Sequence, residues 1–179
     1  MKIRLGLVAF ALIAASLLSI VTPKNSIAAE LSDEQINRIK ANCLSIKSSL
    51  NQLHASDALL RVNRGQIYES MGTKLMDTFN SRLSNNGLDN KGLVSVAVQY
   101  QAALTTFRLD YQAYEQQLSS VIRIDCTKEP VAFHTALEEA RTRRTIVHTD
   151  VGRLNQYIDD YRSAVKDFML NFERVTGKQ

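Results

Sequence analysis

The run HASDALLRVNRGQIY, residues 54–68, places charge where a helix normally places leucine. Asp57 and Arg64 share the spacing of Leu53, Leu60 and Ile67, with Arg61 one turn from each. Tyr111, Tyr114 and Arg144 occupy equivalent positions in two later apolar series. A guanidinium withdrawn from water needs a carboxylate partner, and a withdrawn phenol needs an acceptor. Asp57 is therefore expected to pair with Arg61, Arg64 or Arg144, with the tyrosines supplying hydroxyls and aromatic faces. Three arrangements are compatible with this pattern. The six residues form a buried polar layer that sets the register of packed helices, a seat for a small anionic ligand, or a solvated groove with no layer at all.

Other reactive residue types are sparse. Cys43 and Cys126 are the only cysteines. In an oxidising compartment an even pair reads first as a disulfide, and their spacing matches no zinc or redox motif. Of three histidines, His134 and His148 are too far apart along one helix to share a metal, about 21 Å at 1.5 Å per residue. His54 and His134 fall at similar depth, but two imidazoles lack a third ligand. Asp159 and Asp160 are adjacent and point to different helix faces. Without a nucleophile elbow, a zinc-protease motif or a phosphate-binding glycine loop, no enzyme, metal or cofactor is expected. The charged stretch ALEEARTRRTIVHTD is expected to be a solvated face, with Glu139 and Arg143 paired one turn apart.

The elements that must position these residues are helices. Ser32 followed by Gln35 forms a capping box. From there Ile36, Ile39, Cys43, Ile46, Leu50, Leu53, Asp57, Leu60, Arg64, Ile67 and Met71 advance by threes and fours, the signature of one helix face. Leu75, Phe79 and Leu83 extend that stripe in steps of four, which relaxes supercoiling, and Gly65 and Gly72 mark a bend, a close approach or a break. Asn86-Gly87 is a left-handed stop. A second series runs from Leu93 to Val121 and a third from Phe133 to Val175, opened by Pro130, at home in a first helical turn. The expectation is an all-α fold, an elongated antiparallel three-helix bundle resembling a coiled coil. Its helices would span about 33–84, 90–124 and 130–175, in one domain over residues 30–179 with one disulfide.

In such a hairpin, residue numbers at one depth add to a constant, about 173 for the first turn. Cys43 and Cys126 miss it by about four residues, or about 6 Å. The same arithmetic sets Arg144 level with Asp110 and Tyr111, and these level with the stretch between Arg61 and Arg64. The polar interruptions thus fall in one slab. The third helix outruns the second, leaving Phe168, Met169, Phe172 and Val175 as a tip surface for a protein or membrane contact.

The N-terminus points to export. Lys2 and Arg4 precede a run free of charge from Leu5 to Pro23, and Ser26-Ile27-Ala28 offers a cleavage site. Residues 1–29 read as a signal peptide or, left uncleaved, as a membrane anchor. Nineteen of the 22 basic residues lie beyond this segment against 18 acids. The positive balance thus belongs mostly to the export signal and implies no nucleic-acid partner.

The runs LHASDALLRVNRGQIYE and RIDCTKEPVAFHTALEEAR resemble an uncharacterised family of small exported helical proteins from genome-reduced candidate-phyla bacteria. The resemblance spans nearly the whole mature chain and implies export, with no activity, ligand or site attached. AELSDEQINRI resembles the helix starts of small periplasmic helical chaperones of the Spy and CpxP kind. The expectation is a non-enzymatic secreted or cell-envelope interaction module with an envelope or surface protein as partner. The alternative is an extracytoplasmic chaperone or ligand-sensing bundle.

Overall fold

The chain enters its first helix through Ser32, whose Oγ accepts from the Gln35 amide at 3.3 Å while Gln35 Oε1 accepts from the Ser32 amide at 2.8 Å. A computed structural model describes residues 31–177, so the expected signal or anchor segment, residues 1–29, lies outside the described residues. Every element among them is helical: α1 (Asp33–Ala41), α2 (Cys43–Ser70), a π-helical segment (Met71–Asp77), α3 (Thr78–Asn85), α4 (Lys91–Arg123) and α5 (Pro130–Thr176). No helix among the described residues is long and apolar enough to cross a membrane.

The first expected helix, about 33–84, is not continuous. At Asn42 the side-chain amide donates to the Arg38 carbonyl at 2.8 Å, a local bond that competes with the helical ladder. The second interruption is the π-helical segment, and it accompanies a change of face. Leu60, Ile67 and Leu75, expected in the core, stand exposed, whereas Tyr68, Gly72 and Met76 are buried. Gly72 contributes to the outcome. A Cβ there would lie 2.5 Å from Gln101 Nε2 and 3.3 Å from Tyr100 Cε1, so glycine eases this close approach to α4. The wider π turn then brings Leu83 back to the packed face.

Tyrosine hydroxyls bracket that turn. Tyr100 on α4 donates to the Tyr68 carbonyl at 2.7 Å, and Tyr161 on α5 lies 2.8 Å from Asn80 Oδ1 and 3.3 Å from the Met76 carbonyl. The Tyr68 carbonyl also accepts from the Met71 amide, so the Tyr100 hydroxyl uses that carbonyl's second lone pair. Burial pushes both phenols up to about 12, which keeps them as donors at any physiological pH.

The turns follow the sequence closely. Gly87 takes φ 67°, and the Leu88 amide donates back to the Leu83 carbonyl at 3.0 Å. Asp125 organises the second turn by accepting from Thr127 N at 3.0 Å and Thr127 Oγ1 at 2.6 Å. These bonds hold its exposed carboxyl below the usual carboxylate range. Cys126 is fully buried and joined to Cys43 with Cα atoms 5.6 Å apart, within the span a disulfide requires. Lys47 adds a bond to the Ile124 carbonyl at 3.1 Å.

α4 and α5 pack along most of α4. Leu93, Tyr100, Leu104 and Phe107 meet Leu154 and Tyr161 in one apolar cluster, and Tyr111, Tyr114, Leu118 and Val121 meet Phe133 and Ala140 in a second. α1, α2, the π-helical segment and α3 contribute few buried side chains: Cys43 and Leu50 at one end, Tyr68, Met76, Asn80 and Leu83 at the other.

Two measurements test this arrangement. Replacing both cysteines by serine removes a crosslink across 83 residues. In urea unfolding it should cost about 4 kcal/mol by the chain-entropy model. Tyr100→Phe should cost about 1–2 kcal/mol because the Tyr68 carbonyl loses a buried donor.

Candidate functional site

Between the two ends where α2 is tied down, its polar residues meet α4 and α5. Asp57 is mostly buried. Its Oδ2 accepts from the Tyr114 hydroxyl at 2.6 Å and from Arg144 Nε at 3.3 Å, and its Oδ1 accepts from Arg144 Nη2 at 3.4 Å. One carboxylate thus joins three helices. Burial, the Asp57 hydrogen bond and its charge push the Tyr114 phenol well above its ordinary range. The hydrogen bond to Asp57 likewise raises the Arg144 guanidinium against the opposing effect of burial.

The arginines differ from the expected buried layer. The Arg144 side chain is 55 % exposed and that of Arg61 52 %, and Arg64 is also exposed. Arg61 lies over the Tyr111 ring, 5.2 Å from its centroid, with Glu115 at 3.9 Å. Arg64 makes no ion pair among the described residues. Burial, with the Glu115 and Asp57 charges, pushes the Tyr111 phenol up to about 12, and the Arg61 charge opposes this. The physical reason for the correction is geometric. α2 leans on α4 and stands off α5, so the guanidinium ends reach water while their stems and the tyrosine rings stay packed.

That stand-off leaves an open seam. On one side of the Asp57–Arg144 bridge lies a cleft of about 360 Å³, lined by Leu50, Leu53, Tyr114, Leu118, Leu137 and Ala140 among others. On the other lies a larger cleft of about 750 Å³, floored by Phe107 and Tyr111 and walled by Leu60, Tyr68, Val147 and Val151. Arg61, Arg64, Arg141, Arg144 and His148 line the larger one with a single carboxylate, Asp57. Arg141 is held by Glu138 on its own helix. The seam can accept an anion or an apolar group.

Compared with known family models, curated proteins and solved structures, the chain matches none. The site therefore rests on its own geometry.

The other expected residues separate. His54 Nε2 lies 3.4 Å from Ser119 Oγ, His134 lies 3.7 Å from Glu138, and His148 lines the larger cleft. No group of three potential metal ligands occurs among the described residues. At the expected tip, Phe168 is half-buried between Phe79 and Phe172. Met169 and Val175 are exposed at 53 % and 81 %, and Phe172 at 42 %. Phe168 is thus a core residue and the other three are surface.

Asp150 is the residue the pattern did not single out. It stands on the packed face of α5, almost wholly buried, with Oδ2 unpartnered and Oδ1 3.3 Å from Arg153 Nη1. Burial raises its carboxyl, the Asp110 side chain on α4 adds to this, and Arg153 opposes it. A lone carboxylate between Val147 and Leu154 was a visible signal, masked because Val151 satisfies the same period one residue later.

Two outcomes follow. Asp57→Ala leaves the buried Tyr114 hydroxyl without its acceptor and should cost about 1–3 kcal/mol. Arg144→Ala removes only an exposed partner and should cost under about 1 kcal/mol. Equal losses in urea unfolding would contradict this asymmetry. For Asp150 the folded-state pKa lies above the unfolded value, so the folded chain binds the extra proton and stability falls as pH rises from about 4 through the raised value. Asp150→Asn should flatten that slope and raise the melting temperature at pH 7 by a few degrees.

Proposed function

We propose that this protein is a non-enzymatic binding module that works outside the cytoplasm. In this reading α1, α2, the π-helical segment and α3 run as one leg of an elongated antiparallel three-helix bundle, with α4 and α5 as the other two. The observation that carries the proposal is the seam between α2 and α5, where two clefts with aromatic and aliphatic floors are rimmed by arginines. A leg serving stability alone would close against α5 and bury its leucines. This one instead leaves Leu59 and Leu60 exposed at 63 % and 52 %. Export is supported by the charged start and apolar run of residues 1–29 and by the resemblance to small exported helical proteins. The partner is then an envelope or surface component.

A second reading, an extracytoplasmic chaperone, is favoured by the exposed apolar side chains along α2 and the π-helical segment and near the end of α5, among them Ile67, Leu75, Met169 and Val175. It predicts that purified protein suppresses aggregation of a reduced, unfolding client at stoichiometric ratios. The binding-module proposal predicts a different pattern. A photocrosslinking side chain at Thr145, in the seam, should give a discrete adduct in native cells, and one at Lys166 on the exposed side of α5 should not. Adducts of equal yield from both positions, or from neither, would remove the seam as the working surface.

A further inference from the structure

We propose that the larger cleft of the seam takes a single-chain amphiphile with an anionic head, a carboxylate or phosphate, held as an individual molecule and not as part of a bilayer. This rests on the binding-module reading and names the chemistry of its ligand. Four guanidinium groups line the cleft against one carboxylate, and that carboxylate is engaged by Tyr114 and Arg144. Arg61 is placed over the Tyr111 ring and Arg141 is turned to Glu138. Of the four, Arg64 alone has no acidic partner among the described residues, and it lines the cleft two turns from Asp57 and one from Tyr68. Two guanidiniums with spare donors, Arg64 and Arg144, thus flank the same opening. A planar fork of N–H groups suits the oxygens of a carboxylate or phosphate.

The remainder of the cleft defines the body of the ligand. Beyond the arginines and Asp57, its lining is mostly apolar and aromatic, Leu60, Tyr68, Phe107, Tyr111, Val147 and Val151, with Thr145 and His148 as the polar remainder and no second acid. An inorganic anion would leave that apolar floor wet, and a neutral hydrocarbon would leave Arg64 without a counter-charge. A volume of about 750 Å³ lies within the range of small-molecule sites, roughly 300–1,000 Å³. A flexible chain can follow the seam between α2 and α5, whereas a flat bilayer surface cannot reach a floor set between two helices.

The test is calorimetric titration of the full mature chain with dodecanoate, kept below its micelle concentration. One molecule per chain is expected. Affinity should rise with chain length from octanoate to dodecanoate, by up to roughly fourfold per methylene. Arg64→Gln should weaken dodecanoate binding about tenfold, and a thermal melt matching the parent chain would show that its fold is intact. Dodecyl maltoside, the neutral counterpart, should bind much more weakly, and inorganic phosphate should neither bind measurably nor displace dodecanoate. Equal binding of dodecanoate and dodecyl maltoside, or no effect of Arg64→Gln, would overturn the assignment of an anionic head. Phosphate displacing dodecanoate at similar concentration would overturn the apolar body. Binding to phosphatidylglycerol vesicles without binding to monomeric dodecanoate would overturn the single-molecule source. If no amphiphile binds while the Thr145 crosslinker still captures its adduct, the ligand class is wrong and the binding module stands.

Discussion

The structure depends on α2 being fastened by buried contacts at its ends and by polar contacts alone between them. At one end the Cys43–Cys126 bond and the Lys47 contact clamp it to the turn between α4 and α5. At the other, Gly72 lets the chain approach Tyr100, and the Tyr100 and Tyr161 hydroxyls grip the backbone on either side of the π turn. Between these anchors the apolar contacts that would zip α2 onto α5 are replaced by Asp57, Arg61 and Arg64. Hydrophobic burial is proportional to the area removed from water, and arginines with exposed ends remove little. The middle of the leg therefore stands away from α5, and the seam exists because both ends hold.

Asp57 links that mechanical arrangement to chemistry. It is the one acid among the four arginines of the larger cleft, and it accepts from α4 and α5 together. A mostly buried carboxylate with a tyrosine hydroxyl at 2.6 Å is a fixed point, whereas arginine ends in water are adjustable. Such a combination positions the rim without consuming its charge. Around it, α4 supplies a continuous aromatic ridge of Phe107, Tyr111 and Tyr114, with ring centroids about 6 Å apart in tilted and edge-on contacts, a geometry aromatic pairs favour. The floor of the seam is thus packed and buried while its rim is exposed to water, a division suited to selecting a ligand by its apolar shape and then by its charge.

Asp150 obeys a different logic on the opposite side of α4. Its unpartnered oxygen faces the α4–α5 packing and not the seam, so the tightest interface carries the least comfortable carboxylate. Its contribution is to pH dependence.

The helical class, the periodic series of α4 and most of α5, both turns, the capping box and the cysteine pairing were legible in the residues alone, because each follows from local chemistry or from there being one pair of cysteines. For Asp57 the residues left three partners open, Arg61, Arg64 and Arg144, and the tertiary structure gives its carboxylate to Arg144 and the Tyr114 hydroxyl. What periodicity could not supply was rotation. Residues 67, 71 and 75 and residues 68, 72 and 76 satisfy the step of four equally well. The second set is the one packed, with Gly72 close against Tyr100 and the Tyr68 and Met76 carbonyls bonded by the Tyr100 and Tyr161 hydroxyls. For the same reason the arginines could be placed in the right slab but not on its outer rim: spacing along one helix sets depth, while the gap to the neighbouring helix is decided by which contacts close first in three dimensions.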